Sequence, residues 1–512
     1  MRVVRFPFTG FFLLLSAWLF AFPAIAAEGV QDELPDAIAT ILRTSPIQGA
    51  RAGVIVSDLD TGEVVYGKNA DELLNPASNV KILTTAAALA RLGPDYRFPT
   101  EIFFGGPLEK GVLKGNLYIR GQGDPSLSTE RLYRIARQLR HMGLREVQGN
   151  LVADESYFDS VYDGPGWEQD DSDRPYMAGA GALSLNLNAV EILVFPGERV
   201  GEKARVVVEP GSDYLIVDNQ AVTTSARSRS RIVASSEPAG TKQRIVVRGR
   251  IAQGRDRIVT YRRISHPPLF TANTFREILA EQQIPVKGRV MLGKTPEKLK
   301  PAFTDWSEPL PLLVHRLNKW SQNHMAEMLL KTLGAETYGA PGTWSKGIAA
   351  VETFLAEEVG IPRGSLVLRN GSGLNDTNRA SARQILQVLE WAWKQSTIAP
   401  ELLTSLPIAG VDGTTRNRLV GTLGEGRVRA KTGTLQNVTA LSGYATAQNG
   451  KNYAFAIIVN DYPGRLSSVL PGVDAIGAAV ASAGAVGGAD AAVAMASLPT
   501  PDPSTPIDQL RN

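Results

Sequence analysis

Residues 53–66 read GVIVSDLDTGEVVY, two β-branched runs joined at Asp60-Thr61-Gly62, which is the pattern of a β-hairpin. Far along the chain, RVRAKTGT (427–434), NVTALSGYAT (437–446) and NYAFAIIVN (452–460) read as strands, the last two joined at Gln448-Asn449-Gly450. Hairpins at opposite ends of a chain, each with an apolar face, can complete one antiparallel sheet covered by helices, an α+β arrangement. A candidate covering helix follows the first hairpin. Asn75 can cap it, Pro76 suits its first position, Val80, Leu83, Ala87 and Ala90 share one face, and Gly93-Pro94 stops it.

Between these ends, residues 96–299 carry many short strand-like runs and frequent glycines, the composition of a β-rich insertion with two subdomains. At 512 residues the chain exceeds what one core supports, so the expected organisation is a discontinuous unit, 27–95 and 300–482, interrupted by that insertion. In SARSRSRIV (225–233) the period-two arginines Arg227, Arg229 and Arg231 fit the wet face of a strand better than a nucleic-acid patch. Residues 483–512, rich in alanine and glycine and then proline, read as a flexible tail.

The first 26 residues have Arg2 and Arg5, an apolar run from Phe11 to Phe22, and Ala24-Ile25-Ala26, the small-x-small spacing of a signal-peptide cleavage site. The run falls short of the ~20 residues needed to span a bilayer, so cleavage after Ala26, export to the periplasm or cell wall, and no remaining membrane span are expected. Removing this segment takes two of the 54 basic residues and none of the 51 acidic ones, leaving a net charge of +1, which gives no reason to expect nucleic acid as a partner. The absence of cysteine excludes disulfides, thiolate metal sites and a cysteine nucleophile. The four histidines show no metal-ligand spacing, so neither a metal nor a cofactor is expected.

Ser78-Asn79-Val80-Lys81 is the chain's one Ser-x-x-Lys, and the i, i+3 spacing sets hydroxyl and amine on one helix face. A lysine can take a serine proton near neutrality only if its pKa falls well below ~10.4, which burial and the positive end of a helix both favour. The helix end also offers the Ser78 N–H to a developing oxyanion. Lys431-Thr432-Gly433, the one K-T-G, lies in a predicted strand where Lys and Thr can face a substrate carboxylate, Gly433 leaves room for a peptide, and the Thr434 N–H can be a second oxyanion donor. Ser-x-Asn occurs twice. Ser184-Leu185-Asn186 sits in ALSLNLNAV, read as a buried strand and set aside. Ser321-Gln322-Asn323 falls between two helical patterns, where a break lets both side chains enter a cleft. His324 beside it reads as a helix-face residue, since no acid partner for a Ser-His-Asp triad is marked.

In the order S-x-x-K, S-x-N, K-T-G, these motifs form the signature of penicillin-recognising serine acyltransferases. The long gap of 243 residues between Ser78 and Ser321 resembles the D-alanyl-D-alanine carboxypeptidase/endopeptidase family of low-molecular-mass penicillin-binding proteins. So do GQGDPSL (121–127), VADESYF (152–158), ALSLNLN (182–188), NGSGL (370–374) and IAGVDGT (408–414). The resemblance implies a penicillin-binding/β-lactamase-like transpeptidase fold, with peptidoglycan stem peptides and β-lactams as partners. It implies Ser78 as nucleophile, Lys81 as general base, Ser321 as proton relay, Asn323 on the acyl-side amide, and Lys431 and Thr432 on the terminal carboxylate. Asp154 would read an amine on the stem peptide. Gln322 stands where the family usually has aspartate, and Asn375-Asp376 where it commonly has Ser-Arg, which affects side-chain preference. The competing readings are a serine β-lactamase, for which no deacylating glutamate motif is apparent, and a binding protein that is acylated without turnover. Oligomeric state is left open.

Overall fold

In the computed structural model, which describes residues 33–170 and 172–496, the two ends of the chain share a five-stranded antiparallel sheet. Its order is Val428–Leu435, Val438–Thr446, Asn452–Asn460, Arg51–Asp58, Val64–Lys68. The N-terminal strand closes on the C-terminal one in the register Arg51↔Asn460 to Asp58↔Tyr453. Helices cover both faces, which is why Asn452–Asn460 is apolar nearly throughout rather than alternating. Tyr453, Phe455, Ile457 and Val459 enter one core, and Ala454, Ala456 and Ile458 the other. The first core is closed by the helices Leu34–Thr44 and Leu466–Ser482, the second by Val80–Leu92, Asn323–Tyr338 and Ala382–Lys394.

Residues 96–299 are β-rich but not purely so, since the helices Thr129–His141 and Pro267–Glu281 pack into a third core among its strands. Its largest sheet runs past residue 299 and ends on Phe303–Trp306, which pairs with Pro99–Phe104. Three three-stranded sheets make up the rest of its strands.

Three local expectations need correction. The α-helix begins at Val80, not at Pro76. A 3₁₀ turn, Ala77–Asn79, comes first, and the Asn75 side chain accepts the Ala77 N–H (2.9 Å) instead of capping the helix. ALSLNLNAV is not one strand, because Asn186, Leu187 and Asn188 all have positive φ and form a 3₁₀ turn before a strand starts at Ala189. The stretch after 483 is not wholly without a fold. Gly488–Met495 is helical and buries Ala492, one turn before the buried Ala496, against the core of the helices Leu34–Thr44 and Leu466–Ser482. Alanine forms helix readily and permits close packing, and that outweighs the neighbouring glycines. The expected signal segment and residues 497–512 lie outside the described residues.

Candidate active site

Ser78 sits in the 3₁₀ turn, directly ahead of the helix that carries Lys81. The turn is held in an unfavourable backbone state, with Ala77 at φ +46°, a conformation costing an L-residue roughly 1–2 kcal/mol. Its surroundings enforce it. A Cβ on Gly433 would stand 3.0 Å from the Pro76 carbonyl and 3.1 Å from the Ala77 side chain, and one on Gly373, itself at φ +77°, would land on the Ala77 carbonyl. Asn79 Nδ2 donates to Ser442 Oγ (2.7 Å), tying the turn to the central sheet.

Lys81 is fully buried, and Nζ donates to Ser78 Oγ (2.9 Å), Asn323 Oδ1 (2.7 Å) and the Ser372 carbonyl (2.6 Å). Burial pushes this amine down to about 7, against the opposing pull of the Glu327 carboxylate. A group balanced there is neutral often enough to accept a proton from Ser78.

The break expected between the helical patterns is present. Leu310–Trp320 ends at Ser321, which takes φ +57°, and a new helix starts at Asn323. Ser321 is therefore the end of the earlier helix, and its Oγ accepts from Lys431 Nζ (2.8 Å). Asn323 spans the site, with Oδ1 toward Lys81 and Nδ2 donating to the Tyr176 carbonyl (3.0 Å) of the insertion. Lys431, also buried, donates again to the Thr432 carbonyl, and burial beside Lys81 holds its pKa well below the usual lysine value. Thr432 Oγ1 donates to Thr414 Oγ1 (2.7 Å), which brings the IAGVDGT segment to the site.

Val428–Leu435 is an edge strand of the sheet. The Ala430 N–H points outward to the Pro407 carbonyl (2.9 Å), so by alternation the backbones of Thr432 and Thr434 face the same outer side. Thr434 itself is exposed.

The structure thus gathers Ser78, Lys81, Ser321, Asn323, Lys431 and Thr432, but does not bond Asp154 to them. Asp154 ends the strand Leu151–Asp154 and is only 1% exposed. Its carboxylate accepts the N–H groups of Ser156 (3.0 Å) and Thr295 (2.7 Å), which hold its pKa low despite burial. His324 is buried on its helix, with Nδ1 at the Gly179 carbonyl (3.0 Å), and burial lowers its pKa to about 4. Asn375 Nδ2 donates to the Gly166 carbonyl (2.9 Å), and Asp376 accepts from Asn75 Nδ2 (3.0 Å) and pairs with Arg379 (2.7 Å).

Sequence reasoning missed Glu327 and Lys331, both buried on the helix Asn323–Tyr338. Glu327 accepts from the Gly371 and Ser372 N–H groups (2.9 Å each) and from Trp344 Nε1 (2.9 Å), fixing the loop whose Ser372 carbonyl holds Lys81. Lys331 Nζ binds Asp159 (2.6 Å) and the Val161 carbonyl (2.9 Å), over the rings of Trp344 and Phe158. The available signal was two charges inside the otherwise apolar run MAEMLLKTLG. Beside the cluster, Trp167 and Met177 of the insertion pack on Leu374, with Leu435 against them. They also border a cavity of about 510 Å³ carrying Asp163, Glu168, Asp170 and Arg263.

The chain matches the model of the D-Ala-D-Ala carboxypeptidase 3 (S13) family over residues 34–471. It is 37% identical over 480 residues to a D-alanyl-D-alanine carboxypeptidase of Actinomadura sp. (strain R39), covering 88% of this chain and 86% of that one. It is 28% identical over 417 residues to the D-alanyl-D-alanine carboxypeptidase DacB of Haemophilus influenzae, covering 81% of this chain and 86% of that one. The crystal structure of penicillin binding protein 4 (dacB) from Haemophilus influenzae superposes with a TM-score of 0.74 at 26% identity, over 86% of this chain and 97% of that one. The same protein complexed with a β-lactam gives 0.69 at 26% identity, over 84% and 94%.

Proposed function

The chain belongs to the D-Ala-D-Ala carboxypeptidase 3 (S13) family, and from that membership we propose how its own residues carry out the reaction. It is a penicillin-binding serine D-alanyl-D-alanine carboxypeptidase. The observation that carries the assignment of roles is the buried Lys81 amine, lowered to about 7 and 2.9 Å from Ser78 Oγ.

In this reading neutral Lys81 takes the Ser78 proton as Oγ attacks the carbonyl carbon of the penultimate D-alanine. The tetrahedral oxyanion is met by the N–H groups of Ser78 and Thr434, the latter supported by the outward alternation of its strand. Ser321, held by Lys431, relays the proton that Lys81 has taken to the departing D-alanine nitrogen, and the C–N bond breaks to leave an acyl-Ser78 ester, free D-alanine and a neutral Lys81. Water then hydrolyses the ester. Lys431 and Thr432 hold the terminal carboxylate, and Asn323 the acyl-side amide. Glu168, with Asp163 and Asp170 on the wall of the same open cavity, suits an amine on the stem peptide better than Asp154, which is buried and whose oxygens already accept two amides. We further infer export, with Ala27 as the first residue after cleavage; a secreted product still starting at Met1 would contradict it.

Intact-mass analysis with and without benzylpenicillin tests the central assignment. A single adduct is expected on the wild-type chain and none on Ser78→Ala, while an adduct retained by that variant would place the nucleophile elsewhere. Release of D-alanine from a D-Ala-D-Ala peptide separates the peptidase from a binding protein that is only acylated. Fast release of the opened β-lactam would favour the β-lactamase reading.

A further inference from the structure

The outer part of the insertion ends in a concentration of cations that outnumber the acids beside them. The strands Leu215–Thr224 and Lys242–Ala252 run parallel, and Arg231–Ala239 runs antiparallel to the second, so Thr224, Arg231 and Ala252 meet at one end of their sheet. That end collects Arg227, Arg229, Arg231, Arg250, Arg255 and Arg257, all exposed. The hairpin turn after Ala189–Phe195 lies against it, since the Gly197 N–H donates to Thr223 Oγ1 (2.8 Å) and Gln253 Nε2 to the Glu198 carbonyl (2.9 Å). This turn adds Arg199 and Lys203. Only Glu198, Glu202 and Asp256 oppose these eight cations locally, in a chain whose total charge is only +3.

Pairing at the two ends of these sheets differs sharply. At the other end and beside it, four cations have acids, Arg244 with Glu237, Arg262 with Asp173, Arg263 with Asp163 and Arg276 with Asp213, and Lys242 alone at that turn has none among the described residues. At the tip, none of the eight forms an ion pair among the described residues, and Arg231 stands directly across the ladder from Arg250, a like-charge pair that weakens a sheet. Exposed apolar side chains lie among the charges: Val200 at 55%, Val222 at 39% and Val233 at 50%. Attraction of a dissolved polyanion has no use for exposed valines. A surface seated among lipid headgroups uses both, with the cations on phosphates and the valines at the acyl boundary.

We propose that this tip docks the protein peripherally on an anionic phospholipid surface, with Val200 and its flanking Arg199 and Lys203 entering the headgroup layer. No helix among the described residues is long and apolar enough to cross a membrane. Charge and apolar contact together fit an anionic bilayer in contact with the enzyme, and the attraction fades within a Debye length of about 8–10 Å.

The test is co-sedimentation of the full chain with vesicles of 30% phosphatidylglycerol in phosphatidylcholine, against pure phosphatidylcholine, in 0.1 M and 0.5 M NaCl. The neutral vesicles measure whatever the apolar N-terminal segment contributes. The expected result is an anionic excess that high salt abolishes. The triple variant Arg229→Gln/Arg231→Gln/Arg255→Gln should reduce that excess by about 100-fold, each cation being worth about fivefold near an anionic surface. Val200→Asp should also reduce it. Both variants should keep wild-type hydrolysis of a free D-Ala-D-Ala peptide, which reports that the fold is intact. Equal binding to both vesicle types, or full binding by the triple variant, overturns the proposal. Binding to soluble polyphosphate with no anionic-vesicle excess would overturn it in favour of a dissolved polyanion.

Discussion

Lys81 and Lys431 are both buried, Lys81 close enough to make a charge on Lys431 costlier still, and the carboxylate of Glu327 is the anion that offsets the charge on Lys81. Around Glu327 stand Lys81 from the nucleophile helix, Lys331 from its own helix, Trp344 from the next, and the amides of Gly371 and Ser372. Because the neutral amine is the base, acylation by penicillin should rise with pH through about 7 and level off above it. Glu327→Gln removes the charge that raises the Lys81 pKa, so the acidic limb should move to lower pH, with a stability loss of about 1–3 kcal/mol from a displaced amide donor. Stopped-flow acylation across pH 5–9 measures this, and a limb left in place would show that Glu327 acts on the loop alone. For Lys431→Ala, kcat/KM on a peptide with a free terminal carboxylate should fall by about 10- to 100-fold, the worth of a charge-assisted contact, and by less on the amidated peptide. Equal losses on both would assign Lys431 to proton transfer or folding.

At the level of elements, the site is made where regular structure is interrupted: a 3₁₀ turn before a helix, a left-handed serine between two helices, and an edge strand. Each interruption exposes a side chain or an amide that a continuous element would have used internally. Asp154 is an interruption of another kind, a strand end whose buried carboxylate ties the chain at Ser156 to the chain at Thr295. Asp154→Ala should therefore cost about 1–3 kcal/mol, read as a lower midpoint in urea unfolding, and reduce penicillin acylation and peptide hydrolysis together. Loss confined to peptides with an amine on the third residue would restore a recognition role to Asp154.

Across the whole molecule, the insertion and the helices beneath it are joined at many polar points, among them Tyr157 to Glu336, His324 to the Gly179 carbonyl and Asn375 to the Gly166 carbonyl. Lys331 on the catalytic side holds Asp159 and Val161, and Asn323 holds the Tyr176 carbonyl. Lys331→Met fills the same buried volume without the charge and leaves Asp159, with its side chain 27% exposed, without its cation. The expected cost is about 1–3 kcal/mol of stability, with a lower Tm by calorimetry and a larger loss on stem peptides than on penicillin, since only the longer ligand reaches the insertion's cavity. Equal effects on both would mean that the insertion does not shape substrate binding.

The motifs Ser78-x-x-Lys81, Ser321-x-Asn323 and Lys431-Thr432-Gly433 were legible because their chemistry needs fixed side chains at short spacings, and so were the terminal strands, whose β-branched runs are local. Tertiary structure alone decided that Lys81 meets Asn323 and Ser372 from 242 and 291 residues away, because such contacts depend on packing and leave no periodic trace. Glu327 and Lys331 looked like ordinary charges on a helix until their burial supplied partners. Asp154 reads as a ligand for substrate in the sequence, and only the fold shows its carboxylate already accepting the amides of Ser156 and Thr295, the latter 141 residues on. The helix Gly488–Met495 was hidden in a composition resembling a flexible tail, since alanine has too little apolar surface to signal burial and becomes core only when another helix lies against it.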